Sequence, residues 1–125
     1  SKANQQRELS MGVVEKGWGH ELIWVDEEEY CGKDLVFKAG GKCSMHFHAT
    51  KDESWFVRSG RFTVCWIDTE TAKVSTKELA AGDVWRNPPL MPHQLICHEA
   101  GTVSEVSTYD DPADNYRVMP GDSQI

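Results

Sequence analysis

The sequence predicts an all-β fold, and three observations predict it. Short segments rich in β-branched and aromatic residues recur along the chain. Glycine, proline or an Asp-Thr pair separates them. No stretch between them sustains the apolar period of an amphipathic helix. A chain of 125 residues is one domain. Many short strands at regular spacing imply a sandwich or barrel, closed so that its edges are protected.

The elements follow in order. Residues 1–12, "SKANQQRELSMG", are polar and weakly patterned and read as an N-terminal arm. Strand signals begin at Trp18, with "HELIWV", "DLVFK" and, after Gly40 and Gly41, "KCSMHFH". "ESWFVR" and "RFTVCWI" flank Gly60, and "KVSTKEL" follows the Asp68-Thr69 turn. "DVWRN" follows Gly82 and runs into a proline-rich turn. "HQLICH" and "TVSEVST" flank Gly101. The closing "YDDPADNYRVMPGDSQI" reads as loop with one helical turn at most. The barrel is placed at 13–118 and a C-terminal tail at 119–125.

Composition narrows the partners. A net charge of −7 argues against nucleic acid, because phosphate binding needs clustered Lys and Arg. Any anionic ligand has to be held by a few local basic groups. Cys31, Cys43, Cys65 and Cys97 are widely separated, without the C-x-x-C spacing of a zinc finger or redox motif. No signal peptide and no long apolar run is visible. Reduced thiols in a cytoplasmic protein without a membrane span are expected.

The chemistry concentrates in "GKCSMHFHATKDESWFVRSG", residues 41–60. Side chains two apart on a strand share a face, with alpha carbons about 6.7 Å apart. His46 and His48 therefore aim together, with Lys42 and Ser44 on the same side and Cys43, Met45 and Phe47 on the other. In the next strand Glu53 shares a face with Trp55 and Val57. His93 follows the proline-rich turn and supplies a third imidazole. Three imidazoles and a carboxylate with open positions suit one divalent transition metal ion: Mn, Fe, Co, Ni or Zn. Cys97 lies an even number of residues beyond His93, which makes it an extra ligand for a soft metal or a small buried hydrophobe. Trp55 is expected to line the pocket and offer a flat face to a ring-shaped ligand.

The spacing resembles the cupin superfamily. Gly40, five residues, His46-x-His48, four residues, Glu53, six residues and Gly60 match the first cupin motif. Gly82, five residues, Pro88 and then His93 are similar to the second. Leu90 stands where that motif has glycine, and Cys97 where it has asparagine. "EKGWGHELIW" and "EVSTYDDPADNYRV" look like the opening and closing strands of the phosphomannose isomerase type II cupins. That group commonly has glutamine at the place of His46 and arginine at the place of Gln94. The resemblance implies a single-domain cupin, a jelly-roll barrel or double-stranded β-helix, with the metal in its mouth.

It also implies an activity. The leading expectation is a metal-dependent aldose–ketose isomerase of the mannose-6-phosphate type, passing through an enediolate. Lys42 is a candidate base on the metal-facing side, and Lys51 and Arg117 are candidates for holding phosphate. An Fe(II) dioxygenase and a non-catalytic metal- or sugar-binding cupin are the alternatives, since one barrel hosts many chemistries. A homodimer is expected, with the arm or the "HELIWV" strand at the interface.

Overall fold

A computed structural model of the protein describes residues 12–125. Most of the arm, and any part it takes in a dimer, lies outside the described residues. The chain forms β1 (Gly12–Lys16), β2 (Gly19–Asp26), β3 (Tyr30–Phe37), β4 (Met45–Phe47), β5 (Glu53–Val57) and β6 (Arg61–Ile67). It continues with β7 (Val74–Ala80), β8 (Val84–Asn87), β9 (His93–Glu99), β10 (Gly101–Thr108) and β11 (Tyr116–Met119). A short 3-10 turn, Asp122–Gln124, follows. The all-β expectation holds.

Two antiparallel sheets face each other. One has the order β1-β2-β3-β10-β5-β8 and the other β11-β4-β9-β6-β7. Alternation places Leu35, Phe37, Val57 and Val103 of the first sheet against Phe62, Val64, Leu79 and Leu95 of the second, all buried. Trp18 stacks on Phe37 at 4.2 Å between ring centroids, and Phe37 meets Phe62 edge-on. Trp66 and Trp85 pack together against the same core, 4.7 Å apart. All four cysteines are free thiols. No helix among the described residues is long and apolar enough to cross a membrane.

Two strands escape the sequence pattern. β1 and β11 are largely exposed on both faces, so neither shows apolar alternation. β11 turns the supposed tail loop into an edge strand that pairs with β4. The turn after it is tied down as well: Gly17 N–H donates to Ser123 Oγ at 3.0 Å, and Lys42 N–H to Asp122 Oδ2 at 2.9 Å.

The segment "KCSMHFH" is not one continuous strand. Lys42 makes an isolated bridge to Ile96, and the ladder resumes only at Met45. Between them Cys43 N–H donates to Leu95 O, its Sγ accepts from Leu95 N–H, and its carbonyl accepts from Gln94 Nε2. The strict alternation is lost there. Cys43 turns toward the cavity instead of away from it, and the Lys42 side chain is exposed outside the cavity lining.

Candidate metal centre

The pairing of the sheets brings the histidines together. His46 on β4 stands directly opposite His93 on β9, so both rings leave the same face of the five-stranded sheet. His48 lies just past the end of β4. Glu53 opens β5 in the facing sheet. The ring centroids of His46 and His93 are 4.6 Å apart, those of His46 and His48 5.1 Å, and those of His48 and His93 5.8 Å. One nitrogen from each ring lies within 4.8 Å of the others. Glu53 Oε1 lies 2.8 Å from His93 Nε2 and 3.7 Å from His48 Nε2.

The hydrogen bonds decide which nitrogens are available. Each Nδ1 meets a backbone carbonyl: Ser44 O at 2.9 Å for His46, Asp114 O at 2.6 Å for His48 and Met91 O at 2.9 Å for His93. A carbonyl only accepts, so each Nδ1 carries a proton, and in a neutral imidazole that leaves Nε2 as the free lone pair. Burial and the neighbouring His93 push the His46 pKa down to about 3, and burial lowers that of His48. Both imidazoles are therefore neutral.

The same logic makes His93 Nε2 an orphan. With Nδ1 taken up by Met91 O, this nitrogen is fully buried and faces the Glu53 oxygen 2.8 Å away. Burial works to raise the Glu53 pKa, but its contacts with Glu105 and His93 prevail and hold it well below the usual carboxylate range. An imidazole nitrogen and a carboxylate buried 2.8 Å apart need a proton or a cation between them, and a metal ion fills that place. The three imidazoles and Glu53 fit a divalent ion on these grounds.

Behind Glu53 lies a buried ionic floor. Lys51 Nζ is 3.8 Å from Glu53 Oε2, 3.1 Å from Glu105 Oε2 and 2.9 Å from Asp110 Oδ1. Lys33 Nζ reaches Glu21 and Asp110 at 3.4 Å and Glu105 at 3.8 Å. Burial opposes the charge on Lys51, but Glu105, Glu53 and Asp110 outweigh it and keep the lysine charged. Burial, then the charge on Glu53, push Glu105 up to about 8. Glu105 also accepts from Trp55 Nε1 at 3.1 Å. In the sheet, Glu105 lies between Lys33 on β3 and Trp55 on β5.

The site residues expected from sequence therefore separate. His46, His48, His93 and Glu53 converge. Trp55 lines the cavity, but it is buried, with its ring edge-on to His93 and its indole N–H bound to Glu105. Lys51 lines it too, with its ammonium taken up by carboxylates. Arg117, opposite His46 on β11, is exposed at the cavity edge without an ion-pair partner among the described residues. Cys97 packs in the apolar core, donates its S–H to Glu99 O and is no part of the histidine cluster. Glu105, Asp110 and Asp114 escaped the sequence reading. A charged residue alternating with Val103 on a central strand is the signal that marks Glu105.

Leu90 occupies a telling place. Its φ is +72°, so the backbone adopts the left-handed conformation that a glycine would favour, and its N–H donates to His48 O at 2.7 Å.

Comparison with known proteins places this architecture. The Cupin domain family matches residues 34–109, more than half of the chain and the span that holds all four converging side chains. The chain is a cupin. No curated protein sequence matches it. Among solved structures, oxalate decarboxylase from Bacillus subtilis is similar at a TM-score of 0.74 and 18% identity, over 86% of this chain and 30% of that one. The capsular polysaccharide assembling protein CapF from Staphylococcus aureus aligns at 0.75 and 14% identity, over 93% of this chain and 34% of that one. KdgF from Halomonas sp. aligns at 0.69 and 18% identity, over 86% and 92%. This cupin thus spans about a third of the first two proteins and nearly all of the third.

Proposed function

We propose that this cupin is a metal-dependent enzyme that isomerises a small sugar derivative, in the manner of an aldose–ketose isomerase. One observation carries the reading: three imidazoles and a carboxylate converge, and three of these four groups, His46, His48 and Glu53, line a cavity of about 640 Å3, room enough for a monosaccharide phosphate. His46, His48, His93 and Glu53 would hold the ion. When bound, it would polarise neighbouring carbonyl and hydroxyl oxygens of the substrate.

The remaining work falls to the chain's own residues. Lys51, itself held by Glu105, lies 3.8 Å from Glu53 Oε2, and Oε1 is directed at the histidines. Trp55 and Leu95 wall the cavity with apolar surface and limit water around the histidines. Lys42 is out of reach, so proton transfer belongs to groups that line the cavity. Lys51 is already neutralised, so an anionic substituent would sit at the rim beside Arg117, with Lys16 on the same lining. Two proteins of similar fold support the direction: oxalate decarboxylase with its Mn(II) centres, and CapF, a capsular polysaccharide assembling protein. The strand motifs that resemble those of phosphomannose isomerase type II cupins point the same way.

The test is metal analysis of protein purified without added metal, followed by a screen of hexose and pentose phosphates with the ion saturated. Interconversion of an aldose and a ketose is expected. The same donor set suits Fe(II). Oxygen uptake without isomerisation would favour a dioxygenase, and neither activity on a metal-loaded protein would favour a binding module.

A further inference from the structure

His48 differs from the other two histidines in how it is aimed. His46 and His93 each bond a carbonyl two residues upstream, so their orientation is set locally. His48 lies beyond β4 and has no such bond; its Nδ1–H donates to Asp114 O, 66 positions away in sequence. The side chain of Asp114 holds the loop that follows. Its Oδ1 accepts from Ala49 N–H at 2.6 Å. Its Oδ2 accepts from Thr50 N–H at 3.1 Å, Thr50 Oγ1 at 2.8 Å and Lys51 N–H at 3.0 Å. This loop joins His48 to Glu53.

We propose that Asp114 is a positioning residue for the metal centre, aiming His48 with its carbonyl and fixing the His48-to-Glu53 loop with its carboxylate. The proposal rests on the metal reading of the site. Two proposed ligands, His48 and Glu53, are spaced by a loop whose three successive amides, Ala49 to Lys51, turn toward one buried carboxylate. Such a carboxylate is already in the geometry that charge-assisted bonds require. Outer groups that orient metal-binding histidines control affinity without touching the ion. Metal affinity is therefore set partly from the C-terminal segment, well outside the H-x-H motif.

Full-length Asp114→Ala and Asp114→Asn, with Thr50→Val as a control, test this. The probe is Mn(II), followed by calorimetry, and the tautomers of the histidines are read by nitrogen NMR without metal. Asp114→Ala should weaken Mn(II) binding by roughly ten- to a hundredfold, the range for lost orienting groups. Asp114→Asn should fall between that and the unaltered protein. The Asp114 carbonyl remains in both variants but is no longer held in place by its side chain. The His48 Nδ1–H tautomer should therefore become mixed while His46 and His93 keep theirs, a change that mere loss of stability would not produce. Thr50→Val removes one of four donors and should leave affinity within about twofold. If Asp114→Ala does not fold, Asp114→Asn carries the test alone. Folded Asp114 variants with unchanged Mn(II) affinity and an unchanged His48 tautomer would overturn the proposal while leaving the metal reading intact. Failure of the unaltered protein to bind Mn(II) or any other divalent ion would overturn both.

Discussion

The two oxygens of Glu53 face different neighbours: Oε1 points at His93 and His48, and Oε2 at Lys51. The side chain therefore joins the histidine cluster to the ionic floor, and its charge matters to both. Glu53→Gln keeps the volume and removes the charge. Metal affinity should fall about tenfold or more, the scale of one charge-assisted contact of roughly 1.4 kcal/mol. Turnover on any substrate found should fall at least as far, because the ion would lose its hard ligand and its orientation together. Calorimetry beside initial rates checks this; full affinity in Glu53→Gln would remove Glu53 from the ligand set. Convergence of His46, His48, Glu53 and His93 was legible because strand alternation and motif spacing both describe backbone geometry. The roles of Lys42 and Lys51 were not. One depends on a strand break at Cys43 and the other on carboxylates more than fifty residues away, and neither leaves a local pattern.

At the scale of elements, tight turns set the frame, and their left-handed residues make a matched series. Gly40 and Gly60 frame the first motif with φ of +80° and +87°. A Cβ at Gly40 meets nothing within 4 Å, whereas one at Gly60 would lie 2.6 Å from Glu99 O and 2.8 Å from Gly101 Cα. Gly40→Ala should cost about 1 kcal/mol for backbone strain alone. Gly60→Ala should cost about 2 kcal/mol or more, because strain and backbone overlap add. Leu90 runs the series in reverse: it is exposed and already strained. Leu90→Gly should gain about 0.5 kcal/mol, the relief of strain less the entropy of a freer unfolded chain. Urea unfolding ranks the three, and equal costs at Gly40 and Gly60 would contradict the overlap. The central strands were legible from alternation, whereas β1 and β11 were not, since edge strands exposed on both faces carry no apolar period.

At the scale of the molecule, edges and charge carry the remaining consequences. β1 ends the six-stranded sheet with Val13 and Val14 exposed. An edge that no described residue pairs, carrying apolar side chains, invites a second chain, so a homodimer is the expected state and Val13→Lys should weaken it. Light scattering that gives 14.1 kDa at working concentration would count against this.

Charge gives the stronger consequence. The linked buried set holds two lysines, Lys33 and Lys51, against four carboxylates, Glu21, Glu53, Glu105 and Asp110. Glu105, raised to about 8, keeps its proton near neutrality. A divalent ion among the imidazoles balances the set once that proton leaves, so the folded barrel should bind the ion far better than the unfolded chain does. Binding only to the folded state adds about 2.7 kcal/mol at a free ion concentration near 100 Kd. For a domain of this size that is a rise in Tm of roughly 10 °C. Chelation should reverse it, and His93→Ala should abolish it because the orphaned Nε2 is gone. Scanning with Mn, Fe, Co, Ni and Zn in turn would show which ion the barrel holds, and a Tm unmoved by all five would mean that the floor is balanced by protons instead.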